Sequence, residues 1–128
     1  GIIVAGGPRT LVGGQIWTNG VYVLIRNDQK ACIFEYWQGE FVESTAVACE
    51  PVAAIKSNDW NTIRVTVGDG YMLVKINDMD WKTFTDTAHN ILVYDGFVGL
   101  THVSRAAVPE KMLVDWAKLD LINSGGIR

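Results

Sequence analysis

The sequence has little of what several protein classes need: few cysteines, few histidines, no block of like charge and no long apolar run. It has 2 cysteines, 2 histidines, 3 prolines and a formal net charge of −3 in 128 residues. Because lysine and arginine are scattered singly, the sequence predicts binding neither to nucleic acid nor to an anionic membrane surface. No apolar run approaches the length of a membrane-spanning helix. With 48% hydrophobic and 20% charged residues, residues 1–128 are expected to form a single folded domain.

Residues that build metal and nucleophile centres are not clustered along the chain. His89 and His102 are far apart, and neither belongs to a group with the spacing of metal ligands. Cys32 and Cys49 have no neighbouring histidine that would activate a thiolate. No glycine-rich segment has the lysine and the strand-to-helix context of a phosphate-binding loop.

The two cysteines flank a predicted hairpin, so they can form either a disulfide or two separate thiols. The sequence does not determine the distance between Cys32 and Cys49. Two reduced thiols in the core is the simpler interpretation. The first residues, GIIVAGG, have no basic segment and are too short for a signal peptide, which leaves the compartment open.

The clearest structural signal is a hairpin within residues 59–80, DWNTIRVTVGDGYMLVKINDMD. Apolar and polar residues alternate in residues 63–67 and again in residues 72–76, which is the period of a strand with one buried face. Asp69-Gly70 supplies residues that tolerate the positive φ angles of a type I′ turn. A two-residue loop there brings six apolar side chains to one face. The opposed pairs are Val67 and Met72, Val65 and Val74, and Ile63 and Ile76.

The rest of the chain also has the pattern of short strands. Turn residues recur about every ten residues, and no segment has a sustained helical period with caps. This spacing is typical of an all-β fold, an antiparallel two-sheet sandwich. The other predicted strands are residues 2–5, 10–17, 21–26, 30–37, 41–48, 81–85, 97–103 and 111–122. Residues 52–56 are predicted to form either a short strand or a single helical turn.

Seven short motifs follow one another along the chain in a defined order. They are residues 20–28 (GVYVLIRND), 30–41 (KACIFEYWQGEF), 59–67 (DWNTIRVTV), 73–78 (LVKIND), 84–86 (FTD), 96–100 (GFVGL) and 114–119 (VDWAKL). Their order and spacing over residues 20–121 resemble the concanavalin A-like, laminin G-like jelly-roll superfamily. The chain departs from that pattern at Asn77-Asp78, where Asn-Gly is usual, and in its shorter N-terminal side.

The resemblance implies a jelly roll, shortened at one side, with one convex and one concave sheet. In such folds, carbohydrates or glycosylated partners bind on the concave sheet or on the loops at one edge. Bacterial members often accompany sugar-processing enzymes, which favours an extracellular or periplasmic, secreted protein. No cofactor is expected except a calcium ion, which many jelly rolls carry. Its candidate ligands are Asp95, Asp115 and Asn77, although turn chemistry explains Asp95 and Asn77 without a metal.

A binding face is predicted on the polar side of the principal hairpin. Arg64 and Lys75 lie opposite each other there, which is unfavourable unless an anionic or hydrogen-bonding group lies between them. Arg26 and Glu35 would supply such a group if they point the same way. Aromatic rings stack on sugars and charged planar groups bind hydroxyls. The predicted ligand-binding residues are Arg26, Glu35, Trp37, Arg64, Tyr71 and Lys75. The alternative is a solvated sheet face whose charges keep the strands unpaired.

The tryptophans divide into two predicted groups. Trp60 and Trp116 correspond to core aromatics of the resembling superfamily, so both are predicted to pack in the interior. Trp17, Trp37 and Trp81 lie next to predicted turns, which makes them better candidates for contact with a ligand or a partner.

Three functions are compatible with these patterns. A glycoside-processing enzyme needs two carboxyl groups that face one sugar. Glu35, Glu40 and Glu43 are the nearest candidates, but their spacing differs from the E-x-D-x-x-E pattern of lectin-fold hydrolases, and solvent-facing carboxylates are the favoured interpretation. A non-catalytic carbohydrate-binding module is therefore the leading hypothesis. A structural or protein-interaction domain, self-associating through a sheet edge as a homo-oligomer, is the second, and a small enzyme is the third.

Overall fold

The computed structural model shows an all-β chain with two antiparallel sheets, one of six strands and one of three. It describes residues 1–6, 19–68, 70–85, 89, 92, 97–102 and 113–120. The strands are β1 (Ile2–Gly6), β2 (Gly20–Ile25), β3 (Lys30–Trp37), β4 (Glu40–Phe41), β5 (Val47–Pro51), β6 (Ile63–Gly68), β7 (Tyr71–Ile76), β8 (Met79–Thr85) and β9 (Phe97–Leu100). The predicted all-β class and the two antiparallel sheets are confirmed. Within these residues, no helix is long and apolar enough to cross a membrane.

The six-stranded sheet is ordered β4-β3-β2-β1-β9, and β5 pairs with the same edge of β3 as β4 does. Its longest strand is β3, whose isoleucine and aromatic residues favour a pleated, half-buried strand. Four residues, 26–29, connect β2 to β3, and the last of them, Gln29, has the left-handed φ of 59° that is common in short hairpin loops. The turn from β3 to β4 is Gln38-Gly39, with φ angles of 52° and 83°.

The edge of β3 is covered by two short strands instead of the single strand predicted for residues 41–48. β4 pairs with the end of β3 and β5 with its beginning, while a 3-10 turn at Glu43–Thr45 separates them. The turn places the Thr45 hydroxyl 2.6 Å from Oε2 of Glu35, to which it donates a hydrogen bond. Because Glu35 is fully buried, its carboxyl group must have hydrogen-bond partners. The alternation of apolar and polar residues did not reveal that the edge strand is interrupted by a turn, or that Thr45 in this turn binds Glu35.

Cys32 and Cys49 form a disulfide, so the prediction of two reduced thiols is wrong. Ala31 pairs with Glu50 and Ile33 with Val47, which leaves two residues of β5 opposite Cys32 alone. This β-bulge brings the Cys49 Cα to 4.3 Å from the Cys32 Cα. The register between β3 and β5 therefore decides the pairing, and that register is a long-range property.

The three-stranded sheet contains the principal hairpin in the predicted register. Val67 pairs with Met72, Val65 with Val74, and Ile63 with Ile76. Gly70, the described residue of the two-residue loop, has φ 76°. The next hairpin turns at Asn77-Asp78, where both residues have positive φ angles of 50° and 64°. These angles are those of a type I′ turn, which asparagine and aspartate tolerate better than most residues.

A second β-bulge lies in β8. Val74 pairs with Lys82 and Lys75 with Asp80, so Trp81 is the additional residue. Trp81 packs against the core, while Asp80 lies opposite the outward-facing Lys75. The bulge therefore reverses the faces that simple alternation would assign to Asp80 and Trp81.

The core lies between the two sheets. Its larger cluster of buried residues is Val4, Val21, Val23, Ile33, Met72, Val74, Phe84 and Leu92. A smaller cluster consists of Ala31, Ile55 and Ile76, and it also contains residues of both sheets. Ile55 comes from residues 52–56, which form a turn closed by a hydrogen bond from Ile55 N to Val52 O. The segment is therefore neither the predicted strand nor the predicted helical turn, but a hydrogen-bonded turn over residues 52–55.

Three of the predicted strands have different outcomes. Residues 113–120 contain no strand and are exposed throughout, so the strand predicted for residues 111–122 is wrong over this part. Apolar alternation there favours a strand, but a strand needs a neighbour for its backbone groups. The strand predicted for residues 10–17 lies outside the described residues. β9 ends at Leu100, which is shorter than the predicted 97–103.

Candidate functional site

The outward face of the three-stranded sheet is the candidate functional site, and we call it the outer platform. Strand pairing arranges it in three rows across β6, β7 and β8. The rows are Gly68–Tyr71–Thr85, Thr66–Leu73–Thr83 and Arg64–Lys75–Asp80. Met72, Val74 and Ile76 point to the opposite side, into the core, because successive side chains alternate along β7.

Tyr71 forms the aromatic end of the outer platform. Its ring lies directly over Gly68, at the position where any larger residue would carry a Cβ atom. The ring is therefore held against the sheet while 42% of the residue stays exposed. Leu73, in the next row, is 40% exposed. An aromatic surface that is ordered and open to solvent can stack on the apolar face of a sugar ring.

Charged side chains form the other end of the outer platform. Lys75 Nζ lies 3.4 Å from Asp80 Oδ1, an exposed ion pair across β7 and β8. Arg64 is exposed on β6 directly opposite Lys75, as predicted. Among the residues that the structure describes, no carboxylate forms an ion pair with Arg64. Its guanidinium group can thus donate hydrogen bonds to a ligand without breaking such a pair.

A shallow depression lies beside these rows at the bulge in β8. It has a volume of about 190 Å³ and is lined by Leu73, Asp80 and Thr83, together with bulge residues Trp81 and Lys82. Pockets for drug-sized ligands usually measure about 300–1,000 Å³. The outer platform is therefore suited to binding along an open surface, with one substituent of the ligand in the depression.

Three of the six predicted ligand-binding residues, Arg64, Tyr71 and Lys75, come together on the outer platform. Asp80, Thr83 and Thr85 on the neighbouring strand were not predicted to belong to it. The alternation of Thr83 and Thr85 is a signal for one shared face, but the bulge at Trp81 hides that Asp80 belongs to it.

Arg26, Glu35 and Trp37 lie elsewhere, and none of them is brought to the outer platform. Arg26, just after β2, forms an exposed ion pair of 2.9 Å with Asp28. Glu35 is fully buried on β3, where its carboxyl group binds Thr45. Neither residue supplies the group expected between Arg64 and Lys75. The reason is that Glu35 follows the core-facing alternation of β3 and belongs to the other sheet.

The predicted burial of Trp60 and Trp116 is wrong. Trp60 is 58% and Trp116 is 63% exposed, so neither is a core residue. Trp37 and Trp81 instead pack against the core. Trp37 also stacks on His89, with a distance of 4.6 Å between ring centroids. Proximity to a turn did not indicate exposure, because Trp37 continues the core-facing alternation of β3 to its end and the bulge of β8 turns Trp81 inward. Trp17 lies outside the described residues.

A larger open cleft, with a volume of about 1220 Å³, shares no lining residue with the three rows of the outer platform. Residues 56–63 and residues 113–119 form two of its walls, and the ends of β2 and β9 contribute others. Exposed Trp60 and Trp116 line it, as does Arg26. We call it the tail cleft, after residues 113–119.

An aromatic cluster on the outer side of the six-stranded sheet was not predicted. Tyr22 and Tyr36 meet edge to face at 5.3 Å between centroids, and Phe34 and Phe41 do so at 5.7 Å. The spacing of Phe34 and Tyr36 by two residues was the signal that could have revealed a shared face. Tyr22 is buried, while Phe41 is exposed, so the cluster mainly packs with itself and offers one ring to solvent.

The candidate catalytic and metal residues are spread over the molecule. Glu40 and Glu43 are exposed near the edge of β3, whereas Glu35 faces the interior. No group of three or more His, Cys, Asp or Glu residues that could hold a metal ion was found in the described part of the chain. Asn77 uses its side-chain amide to hold neighbouring backbone, and Asp115 is exposed. Asp95 lies outside the described residues, so the calcium ion stays a prediction.

The two sheets are joined at one edge by Glu50 of β5. Its Oε1 atom accepts a hydrogen bond of 2.9 Å from Trp81 Nε1 and lies 2.9 Å from Lys82 Nζ. Two hydrogen bonds, the stronger effect from Lys82 and the weaker from Trp81, hold the pKa of Glu50 below its ordinary value. This contact secures the bulge of β8 and with it the edge of the outer platform.

Comparisons of the chain with protein-family models, with curated proteins and with solved structures found no match. The function is therefore inferred from the chemistry of the chain's own residues, chiefly those of the outer platform.

Proposed function

We propose that the chain is a non-catalytic carbohydrate-binding module that uses the outer platform. The observation that carries this proposal is the register of β6 and β7, which places Tyr71, Arg64 and Lys75 on one exposed face. Tyr71 supplies a ring for stacking, and the charged row supplies donors and an acceptor for hydroxyl groups. Threonine hydroxyls lie between the two ends.

We also propose that the two sheets form a jelly roll of the concanavalin A-like, laminin G-like kind. The motif order in residues 20–121 and the all-β, two-sheet architecture support this. The outer platform replaces the expected concave face as the binding surface in this proposal. Arg64 and Tyr71 lie on the outward side of the smaller sheet, which is the reason for the change.

The disulfide supports an extracellular or periplasmic location for the protein. Disulfides such as Cys32–Cys49 form and persist in oxidising compartments and are rare where thiols are kept reduced. A secreted carbohydrate-binding module, of the kind found in bacteria beside sugar-processing enzymes, is consistent with that environment.

A glycan-array screen of the purified protein tests the proposed function. We expect selective binding by the wild type, a loss of about tenfold for Tyr71→Ala, and retention by Tyr71→Phe, because a stacked ring buries a large apolar area and tenfold in affinity corresponds to about 1.4 kcal/mol. Trp60→Ala is the matched control, since it removes an exposed aromatic residue that lines the tail cleft. A repeat with chelator tests the predicted calcium ion.

Two results of the screen would contradict the proposal. One is a folded wild-type protein that binds no glycan. The other is binding that Trp60→Ala abolishes and Tyr71→Ala leaves intact, which would move the site to the tail cleft.

A protein-interaction domain is the second candidate function, and the tail cleft favours it. Leu113, Trp116 and Leu119 are each more than half exposed, an unusual concentration of large apolar side chains on one short segment. In this alternative, residues 113–120 of one copy pack on a second copy and form a homo-oligomer. Light scattering with the wild type and with Trp116→Ser tests it. A monomer at every concentration would exclude self-association.

A further inference from the structure

We infer that the ligand of the outer platform is an acidic oligosaccharide, which binds Arg64 through a uronate carboxylate and Tyr71 through a sugar ring. This inference rests on the proposed function and specifies its ligand class. Three properties of the outer platform lead to it: its uncompensated positive charge, the geometry of that charge, and the separation of its two ends.

The first property is charge. Lys75 and Asp80 neutralise each other across β7 and β8. Arg64 faces Lys75 on the other side and pairs with no carboxylate within the described ranges. Like charges directly opposite each other are unfavourable in an antiparallel pair. A ligand that brings a negative charge between them removes this repulsion, and a neutral sugar does not.

The second property is the kind of cation. Arginine presents a planar fork of N–H donors, which matches the two oxygens of a carboxylate, whereas lysine acts as a point charge. Arg64 is exposed beside Lys75, so a ligand carboxylate can approach its guanidinium from solvent, over the gap between the two cations. A sugar carboxylate thus gains a bidentate contact that a hydroxyl group lacks.

The third property is length. Arg64 and Gly68, the residue under the Tyr71 ring, are four positions apart on β6, or roughly 13 Å along an antiparallel strand. A single sugar ring cannot span the two contacts, but an extended oligosaccharide can. Leu73 and its two threonine neighbours lie midway, where they offer an apolar surface and hydroxyl groups. The depression beside Asp80 accepts a substituent of the central sugar.

Calorimetric titration with matched pairs of ligands tests the inference. The probes are oligogalacturonate and oligoalginate, each beside its methyl-esterified form, which keeps the sugar chain and removes the charge. We expect the acidic form of at least one pair to bind about tenfold or more tightly than its ester. Added sodium chloride should reduce this preference, because salt screens exposed charges.

Arg64→Gln identifies the residue responsible, and Arg26→Gln is its matched control. The first substitution should bring the affinities of acid and ester to within about twofold, and the second should leave their ratio unchanged. Arg64 is exposed and faces a like charge, so its loss should not impair folding, which urea unfolding verifies.

Two outcomes overturn the inference and are distinguishable. If acid and ester bind equally, or if Arg64→Gln preserves the preference, the ligand class is wrong while carbohydrate binding stands. If neither form binds and the glycan array is also negative, the proposed function fails with it.

Discussion

At the scale of single residues, Asn77 is notable because its side chain makes three hydrogen bonds to other segments. It occupies the first position of a type I′ turn and also holds the segment that precedes β6. Its Oδ1 atom accepts a hydrogen bond from Thr62 N, and its Nδ2 atom donates to Ala54 O and to Asn61 Oδ1. Asn61 in turn binds the backbone of Lys56. The segment before β6 is therefore held by hydrogen bonds to the Asn77-Asp78 turn, which follows β7.

Substitution of Asn77 by glycine should lower the free energy of unfolding by about 2–3 kcal/mol, because three side-chain hydrogen bonds are lost while the positive φ angle stays accessible. Asp78→Gly is the matched control in the same turn. It relieves a left-handed φ of 64° and should raise stability by roughly 0.5 kcal/mol. Urea unfolding measures both changes. Equal effects of the two variants would contradict the assigned role of the amide group.

At the scale of elements, the interrupted edge of β3 stands out. β4 and β5 divide one edge between them, and the 3-10 turn in the gap binds the buried carboxyl group of Glu35. The disulfide secures β5 across its bulge. A short, bulged strand that is covalently attached presents little free edge for pairing with other chains. The Cys32–Cys49 disulfide thus holds β5, a strand that makes few backbone hydrogen bonds with β3.

Removal of the disulfide by Cys32→Ala with Cys49→Ala should lower the free energy of unfolding by about 3 kcal/mol, as expected for a closed loop of this size, with the cysteines 17 residues apart. Reductant should destabilise the wild type to a similar extent in urea unfolding. The double variant is the control, since reductant should not affect it. A wild-type midpoint that reductant fails to move would show that the bond does not stabilise β5.

At the scale of the whole molecule, the two sheets are held together by the apolar core and, at one edge, by Glu50. This carboxylate is on the six-stranded sheet, and its partners Trp81 and Lys82 are on the three-stranded sheet. The outer platform lies on the far side of that second sheet. A contact between the sheets therefore helps to maintain the bulge that places Asp80 on the outer platform.

The Glu50 contact should make stability depend on acid pH. Its pKa is lower in the folded protein, so its contribution is fully present above pH 4.5, the ordinary pKa of the group, and is lost as pH falls through the lower folded value. The difference in unfolding free energy between wild type and Glu50→Gln should be constant from neutral pH to 4.5 and then decrease. Urea unfolding at a series of pH values measures it, with Glu40→Gln as the control for loss of an exposed carboxylate. A difference that persists in strong acid would contradict the contact.

For the principal hairpin, local chemistry alone determined the two strands, the turn between them and their register. Alternation in residues 63–67 and 72–76 identified the buried face, and a two-residue loop at Asp69-Gly70 then allowed one register. These features involve residues that are close in the chain, so the pattern contains all the necessary information. Arg64, Tyr71 and Lys75 were grouped correctly for the same reason, because they share that hairpin.

Only the tertiary structure decided the features that depend on contacts between distant segments. The burial of Glu35, the disulfide between Cys32 and Cys49, and the bulge that turns Trp81 inward all require a particular strand to lie beside another. The sequence pattern of one strand does not identify its neighbour or reveal where an extra residue will be inserted. For that reason Arg26 and Glu35 were assigned to a face that they do not share, whereas Asp80 and Thr83 entered the candidate site only through the paired sheet.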